Sequence, residues 1–254
     1  MFRKLLILTA ALFIGHVTLA QTGNAKKIVH PRENTEWIVS YAYNATGTDL
    51  PRVLLIGDSI CNQYQKDVCK ELAGSAYVAF FATSKCLCDA SYLRTLAFFL
   101  DEYDYAVIHF NNGLHSLSSN REDWETRLRA SIKLIREKGK GAKIIWASST
   151  PLKKPELTEK AKELNAIAAR VMKEECIPTN DLFALMDPLD RDTYWSDTYH
   201  YKSAGKNMLS AAVSKSVRQA LGLKKASESD AAATLKAAQS ETGPNGKVKV
   251  PSAK

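Results

Sequence analysis

The stretch Val53-Leu-Leu-Ile-Gly-Asp-Ser-Ile60 decides the reading of this chain. Four apolar residues with strand character stop abruptly at Gly57 and present a serine two positions later. An apolar run of this length, bounded by a turn signal, fits a strand covered on both faces. A serine carried on such a strand end is held at the edge of a sheet, where a nucleophile can be exposed. Far downstream lies Asp197-Thr-Tyr-His200, which completes the side-chain set of a Ser-His-Asp relay.

Four further apolar runs repeat the strand signal, at residues 76–81, 105–110, 143–148 and, more weakly, 177–182. Helical periodicity falls between and after them, at 62–72, 91–100, 121–138, 156–175 and 203–221. Strands alternating with helices predict a five-stranded parallel sheet with helices on both faces. In such sheets ligands bind beyond the carboxyl ends of the strands. Ser59, Asn111, Asn112 and residues 148–150 all follow strands and are predicted on that edge.

The two ends of the 254-residue chain differ from its middle. Residues 1–20 read as a secretory signal peptide: Arg3 and Lys4, then a mostly apolar run, then Thr18-Leu19-Ala20. This predicts export, to the periplasm or beyond the cell, with no membrane-spanning segment left after cleavage. Residues 21–50 form an N-terminal extension whose Trp37, Tyr41 and Tyr43 are expected to pack on the core. The domain proper is 51–223. Residues 224–254, rich in Ala, Ser, Lys, Gly and Pro and without aromatics, are predicted to be a disordered tail. The formal charge of +8 sits largely in the two ends, which leaves the middle at +3. That balance does not provide the basic stripe of a nucleic-acid binder.

Five cysteines occur, Cys61, Cys69, Cys86, Cys88 and Cys176. Cys86-Leu87-Cys88 lacks zinc-ligand spacing and no His pair accompanies it, so no metal is expected. Export favours disulfides, and Cys61 is assigned to a bridge with Cys86.

A serine hydroxyl needs a base within hydrogen-bond reach and a third group to orient that base. Ser59 is the candidate nucleophile, His200 the base and Asp197 its orienting carboxylate. Donors for the developing oxyanion are sought in the Ser59 backbone N–H, in the side chains of Asn111 or Asn112, and in the loop 82–86. Asp58 is read as a structural turn residue. His115 is a loop histidine with an ordinary hydrogen bond, and His109 is a buried strand histidine. Trp195 and Tyr199 either line a sugar or acyl pocket or anchor their loop.

These blocks resemble those of the SGNH hydrolase superfamily, the GDSL esterases and lipases. Ile56-Gly-Asp-Ser-Ile60 matches the first block and Asp197-Thr-Tyr-His200 the last. The third block, usually Gly-x-Asn-Asp, is represented by His109-Phe-Asn-Asn-Gly-Leu-His115. Asn111 takes the family position if His109 replaces the Gly, and Asn112 if Phe110 does. The second block has Ala82-Thr-Ser-Lys-Cys86 where the family places a Gly. The segment 77–115 is similar to an exported bacterial subgroup. The resemblance implies a flavodoxin-like three-layer α/β/α sandwich and ester hydrolysis without metal or cofactor. The substrate expected is a small ester or acylated glycan, most simply a carbohydrate O-acetyl ester. A lipid esterase or thioesterase, and a non-catalytic binding or scaffold protein on the same fold, are the competing readings.

Overall fold

The computed structural model describes residues 33–223. The signal-peptide and tail segments, with the start of the N-terminal extension, lie outside the described residues.

A six-stranded sheet forms the middle layer. Its strands are β1 (Ile38–Ala42), β2 (Arg52–Gly57), β3 (Tyr77–Thr83), β4 (Val107–Phe110), β5 (Lys143–Ala147) and β6 (Thr179–Asn180), in the order β1-β3-β2-β4-β5-β6. The five strands from β2 to β6 pair in parallel, in the flavodoxin-like order. The predicted five-stranded parallel sheet is therefore present, with one strand added. β1 comes from the N-terminal extension and pairs antiparallel with β3. It is an edge strand of exposed or half-exposed residues, and its run Ile38-Val39-Ser40-Tyr41-Ala42 was given no element in the sequence reading.

Every residue of β2 is buried, as its unbroken apolar sequence requires. Burying each Val, Leu or Ile side chain there contributes about 1.5–3 kcal/mol. The helices are α1 (Ser59–Glu71), α2 (Tyr92–Asp101), α3 (Arg121–Lys138), α4 (Pro155–Glu174), two short ones, α5 (Leu182–Met186) and α6 (Arg191–Tyr194), and α7 (Ser203–Leu221). α1 packs on α7, while α3 packs on both α2 and α4, so the sheet is covered on its two faces. Trp124 and Trp146 meet edge to face with ring centroids 6.4 Å apart, joining α3 to β5 in the core.

Two boundaries differ from the sequence reading in ways that matter for the site. α1 begins at Ser59, not residue 62, because Asp58 caps it: Oδ1 accepts from the Ile60 N–H at 2.9 Å. The last parallel strand shrinks to two residues, and Leu182 instead opens α5, which Asp181 caps through the Ala184 N–H.

Candidate active site

The site is built on the carboxyl edge of β2, β4 and β5. Register pairs Ile56 with Phe110, and the Asn111 N–H donates to the Ile56 carbonyl at 2.9 Å. Ser59 and Asn111 therefore leave neighbouring strands at the same level. Gly57 is required here by close approach: a Cβ on it would lie 2.5 Å from the Cys61 Cβ. Ser59 is the first residue of α1, so its N–H has no intrahelical acceptor and belongs to the helix end that favours negative charge.

Asp197 and His200 are brought together. Asp197 Oδ2 meets His200 Nδ1 at 2.8 Å, and Oδ1 accepts the main-chain N–H groups of Tyr199 and His200, each at 2.8 Å. One carboxylate thus folds the turn and orients the imidazole. Partial burial pushes the Asp197 carboxyl up, but the two N–H groups and the imidazole outweigh it and hold it below the ordinary carboxylate value. The turn rests on a firm base. Trp195 and Tyr201 form an antiparallel bridge, their rings 4.6 Å apart, and both side chains bond the Pro151 carbonyl. Arg191 lies over the Trp195 ring at 4.3 Å. Trp195 is therefore an anchor, 1% exposed, whereas Tyr199 projects from the turn at 42% exposure beside His200.

The link from this turn to the serine is Gln63, which the sequence reading missed. Gln63 Nε2 donates to the Tyr201 carbonyl at 3.3 Å, and the Tyr201 N–H returns a bond to Gln63 Oε1 at 3.2 Å. Gln63 stands one helical turn after Ser59 on the same face of α1. The residue following His200 is thus docked beside the start of α1. The i, i+4 spacing from the serine was the only signal available in the sequence.

Both asparagine amides donate to a backbone carbonyl, and the two differ in what surrounds them. Asn112 is committed to structure: its Nδ2 donates to the Lys85 carbonyl at 2.9 Å and its Oδ1 accepts from Ser116 Oγ at 3.1 Å. Asn111 lines the cavity beside Asp58, with Nδ2 2.7 Å from the Ala147 carbonyl and only a 3.3 Å contact to Ser149 Oγ. Gly113 lets this loop pass β5, since a Cβ would fall 1.6 Å from Ser149 Oγ. In the second-block loop, the N–H groups of Ser84 and Lys85 are spent on the Trp37 carbonyl and Thr83 Oγ1.

The assigned Cys61–Cys86 bridge is not formed, and both thiols are free. Cys61 is packed beneath Gly57 within the first turn of α1. Cys86 instead accepts from the Cys88 N–H at 3.2 Å and from Ser119 Oγ at 3.9 Å. Burial pushes the Cys61 thiol far up, so it is no competing nucleophile. His115 pairs through Nδ1 with Glu33 at 2.5 Å. His109 is fully buried, with Nε2 3.1 Å from Asn180 Nδ2, and burial lowers its pKa to about 4. Among the described residues no group of three or more His, Cys, Asp or Glu could hold a metal ion, and no helix is long and apolar enough to cross a membrane.

The fold is that of the SGNH hydrolases. A GDSL-like lipase from Bacteroides thetaiotaomicron superposes with a TM-score of 0.56 at 16% identity, over 66% of this chain and 88% of that one. An acetyl xylan esterase gives 0.58 at 14% identity, over 65% and 99%. A carbohydrate esterase family 3 protein from Talaromyces cellulolyticus gives 0.56 at 14% identity, over 69% and 100%. No family model and no curated protein matches the sequence.

Proposed function

We propose that this chain is an exported serine esterase that removes O-acetyl or other short acyl groups from carbohydrate. The observation that supports the reading is the reciprocal Gln63–Tyr201 contact, which ties the residue after His200 to the helix that begins with Ser59.

In this mechanism Ser59 Oγ attacks the ester carbonyl and His200 Nε2 takes its proton. Asp197 keeps the Nδ1 proton facing itself and stabilises the imidazolium that forms. The tetrahedral oxyanion is received by the Ser59 N–H and the Asn111 amide, with a further backbone N–H from the loop 82–86 as the second-block donor. Asn111 is preferred to Asn112 because it leaves β4 level with Ile56 and lines the cavity beside Asp58. Collapse expels the alcohol, which takes the proton from His200, and leaves an acyl-Ser59 ester. Water then repeats the sequence with His200 as base, releasing the acid and restoring Ser59.

The carbohydrate assignment is supported by Tyr199. His200 delivers a proton to the leaving alcohol, so the alcohol portion must lie on the His200 side. Tyr199 is the exposed aromatic there, a face on which the apolar side of a sugar ring can stack. Two of the proteins sharing the fold are described as an acetyl xylan esterase and a carbohydrate esterase. Export rests on the leader pattern of residues 1–20. The test is hydrolysis of 4-nitrophenyl acetate, abolished by Ser59→Ala, followed by acetate release from acetylated xylan. Activity that rises with acyl chain length points instead to a lipid esterase or thioesterase. No ester turnover at all points to a binding protein.

A further inference from the structure

Beside the Gly57-Asp58-Ser59 turn lies a narrow cavity whose polar lining is Asp58, Tyr64, Asn111, Ser148 and Thr150, with Leu182 among its apolar walls. It offers about 10 Å³ to the centre of a water molecule, which is room for one.

Two polar oxygens of this lining, Asp58 Oδ2 and Thr150 Oγ1, are buried and receive no hydrogen bond. Each residue is 3% exposed. The other polar neighbours are already engaged. Ser148 Oγ donates to Asp181 Oδ1 and accepts from the Phe183 N–H, both at 2.8 Å. Asn111 Nδ2 is on the Ala147 carbonyl, the Tyr64 hydroxyl is paired with the Cys61 thiol, and the Tyr201 hydroxyl spends its proton on the Pro151 carbonyl at 2.8 Å while its oxygen accepts from Thr150. Leaving a buried carboxylate oxygen and a buried hydroxyl oxygen both without a donor costs several kcal/mol. The carboxylate oxygen can only accept, whereas the hydroxyl can donate or accept. A molecule with two donors and two acceptors satisfies both at once. An apolar occupant satisfies neither.

We propose that this cavity is a built site for one water molecule, which donates to both Asp58 Oδ2 and Thr150 Oγ1. Asp58 then has a bond on each oxygen: Oδ1 caps α1 through the Ile60 N–H, and Oδ2 reaches through the water to the connection after β5. Asp58 is thereby a positioning residue for Ser59, its neighbour in sequence, clamping the turn from two sides.

This site stands independently of any hydrolytic activity. The experiment is a crystal structure of the full chain at about 1.5 Å, where ordered solvent is visible, together with one of Thr150→Val, which keeps the side-chain shape. The wild type should show a solvent peak within about 3.2 Å of both Asp58 Oδ2 and Thr150 Oγ1. In Thr150→Val that peak should vanish or weaken at least twofold, and amide exchange at Ile60 should quicken about tenfold by loosening of the cap. An empty wild-type cavity, a direct Asp58–Thr150 hydrogen bond, or an unchanged peak and exchange rate in Thr150→Val would each overturn the proposal.

Discussion

Gln63 and Tyr201, 138 positions apart, exchange two hydrogen bonds that fasten the histidine turn to the helix carrying the serine. Neither bond touches the reacting atoms. Replacing Gln63 by Leu removes both partners from a part-buried peptide group. We expect kcat on 4-nitrophenyl acetate to fall about 10–100-fold, because a small misplacement of a base is costly. The KM should change little, and a Gln63→Glu variant should recover the bond to the Tyr201 N–H alone.

Asp197→Asn preserves the acceptor for the turn but presents an amide N–H to His200 Nδ1 or loses the cap when it rotates. The imidazole then holds the wrong tautomer. The expected loss in kcat is about 10³–10⁴-fold, with the melting temperature nearly unchanged. Steady-state kinetics and a thermal scan on the same sample check both halves.

The two adjacent asparagines should give opposite phenotypes. Asn111→Ala removes an oxyanion donor and should lower kcat about 10²–10³-fold. Asn112→Ala strands the buried Lys85 carbonyl and Ser116 hydroxyl and should cost about 1–3 kcal/mol in denaturant unfolding. Reversed results would move the donor role to Asn112.

Acid should weaken the fold through His109. Its pKa is lowered by burial to about 4, while the unfolded chain takes up the proton near 6.5. As pH falls below that unfolded value, the unfolded state binds a proton the native state refuses, and stability drops. The loss grows until pH reaches about 4 and approaches roughly 3 kcal/mol. Unfolding free energies at pH 7 and pH 5 should differ in wild type, and the difference should shrink in His109→Gln.

Tyr199→Ala should raise KM for acetylated xylo-oligosaccharides about tenfold, with Tyr199→Trp restoring it. Turnover of a small aliphatic acetate should stay level, because that alcohol offers no ring to stack. An equal loss on both substrates would make Tyr199 part of the turn's framework.

Much of this arrangement was legible in the sequence because it rests on continuous local signals. β2 reads as a buried strand from four apolar residues in a row, and Asp197 and His200 are three positions apart, within one turn. β1 was missed although Ile38-Val39-Ser40-Tyr41-Ala42 is rich in strand formers, because its place at the sheet edge is set by antiparallel pairing with the distant β3. The start of α1 was missed because Asp58 reads as a turn residue until its carboxylate is seen capping the helix. The choice between Asn111 and Asn112 depends on their surroundings, set by the Ala147 and Lys85 carbonyls that take their amides, and those lie on other segments. The Cys61–Cys86 bridge failed for a related reason. Proximity of Cys61 to Ser59 in sequence says nothing of where its thiol points, and it points into the packing under Gly57.

The most direct measurement is labelling of the purified protein with an alkyl fluorophosphonate, which phosphonylates an activated serine and releases fluoride. Intact-mass and peptide analysis should find one adduct per chain on Ser59, absent in Ser59→Ala and strongly slowed in His200→Ala. An unlabelled chain, or an adduct on another serine that persists in Ser59→Ala, would contradict Ser59 as the nucleophile.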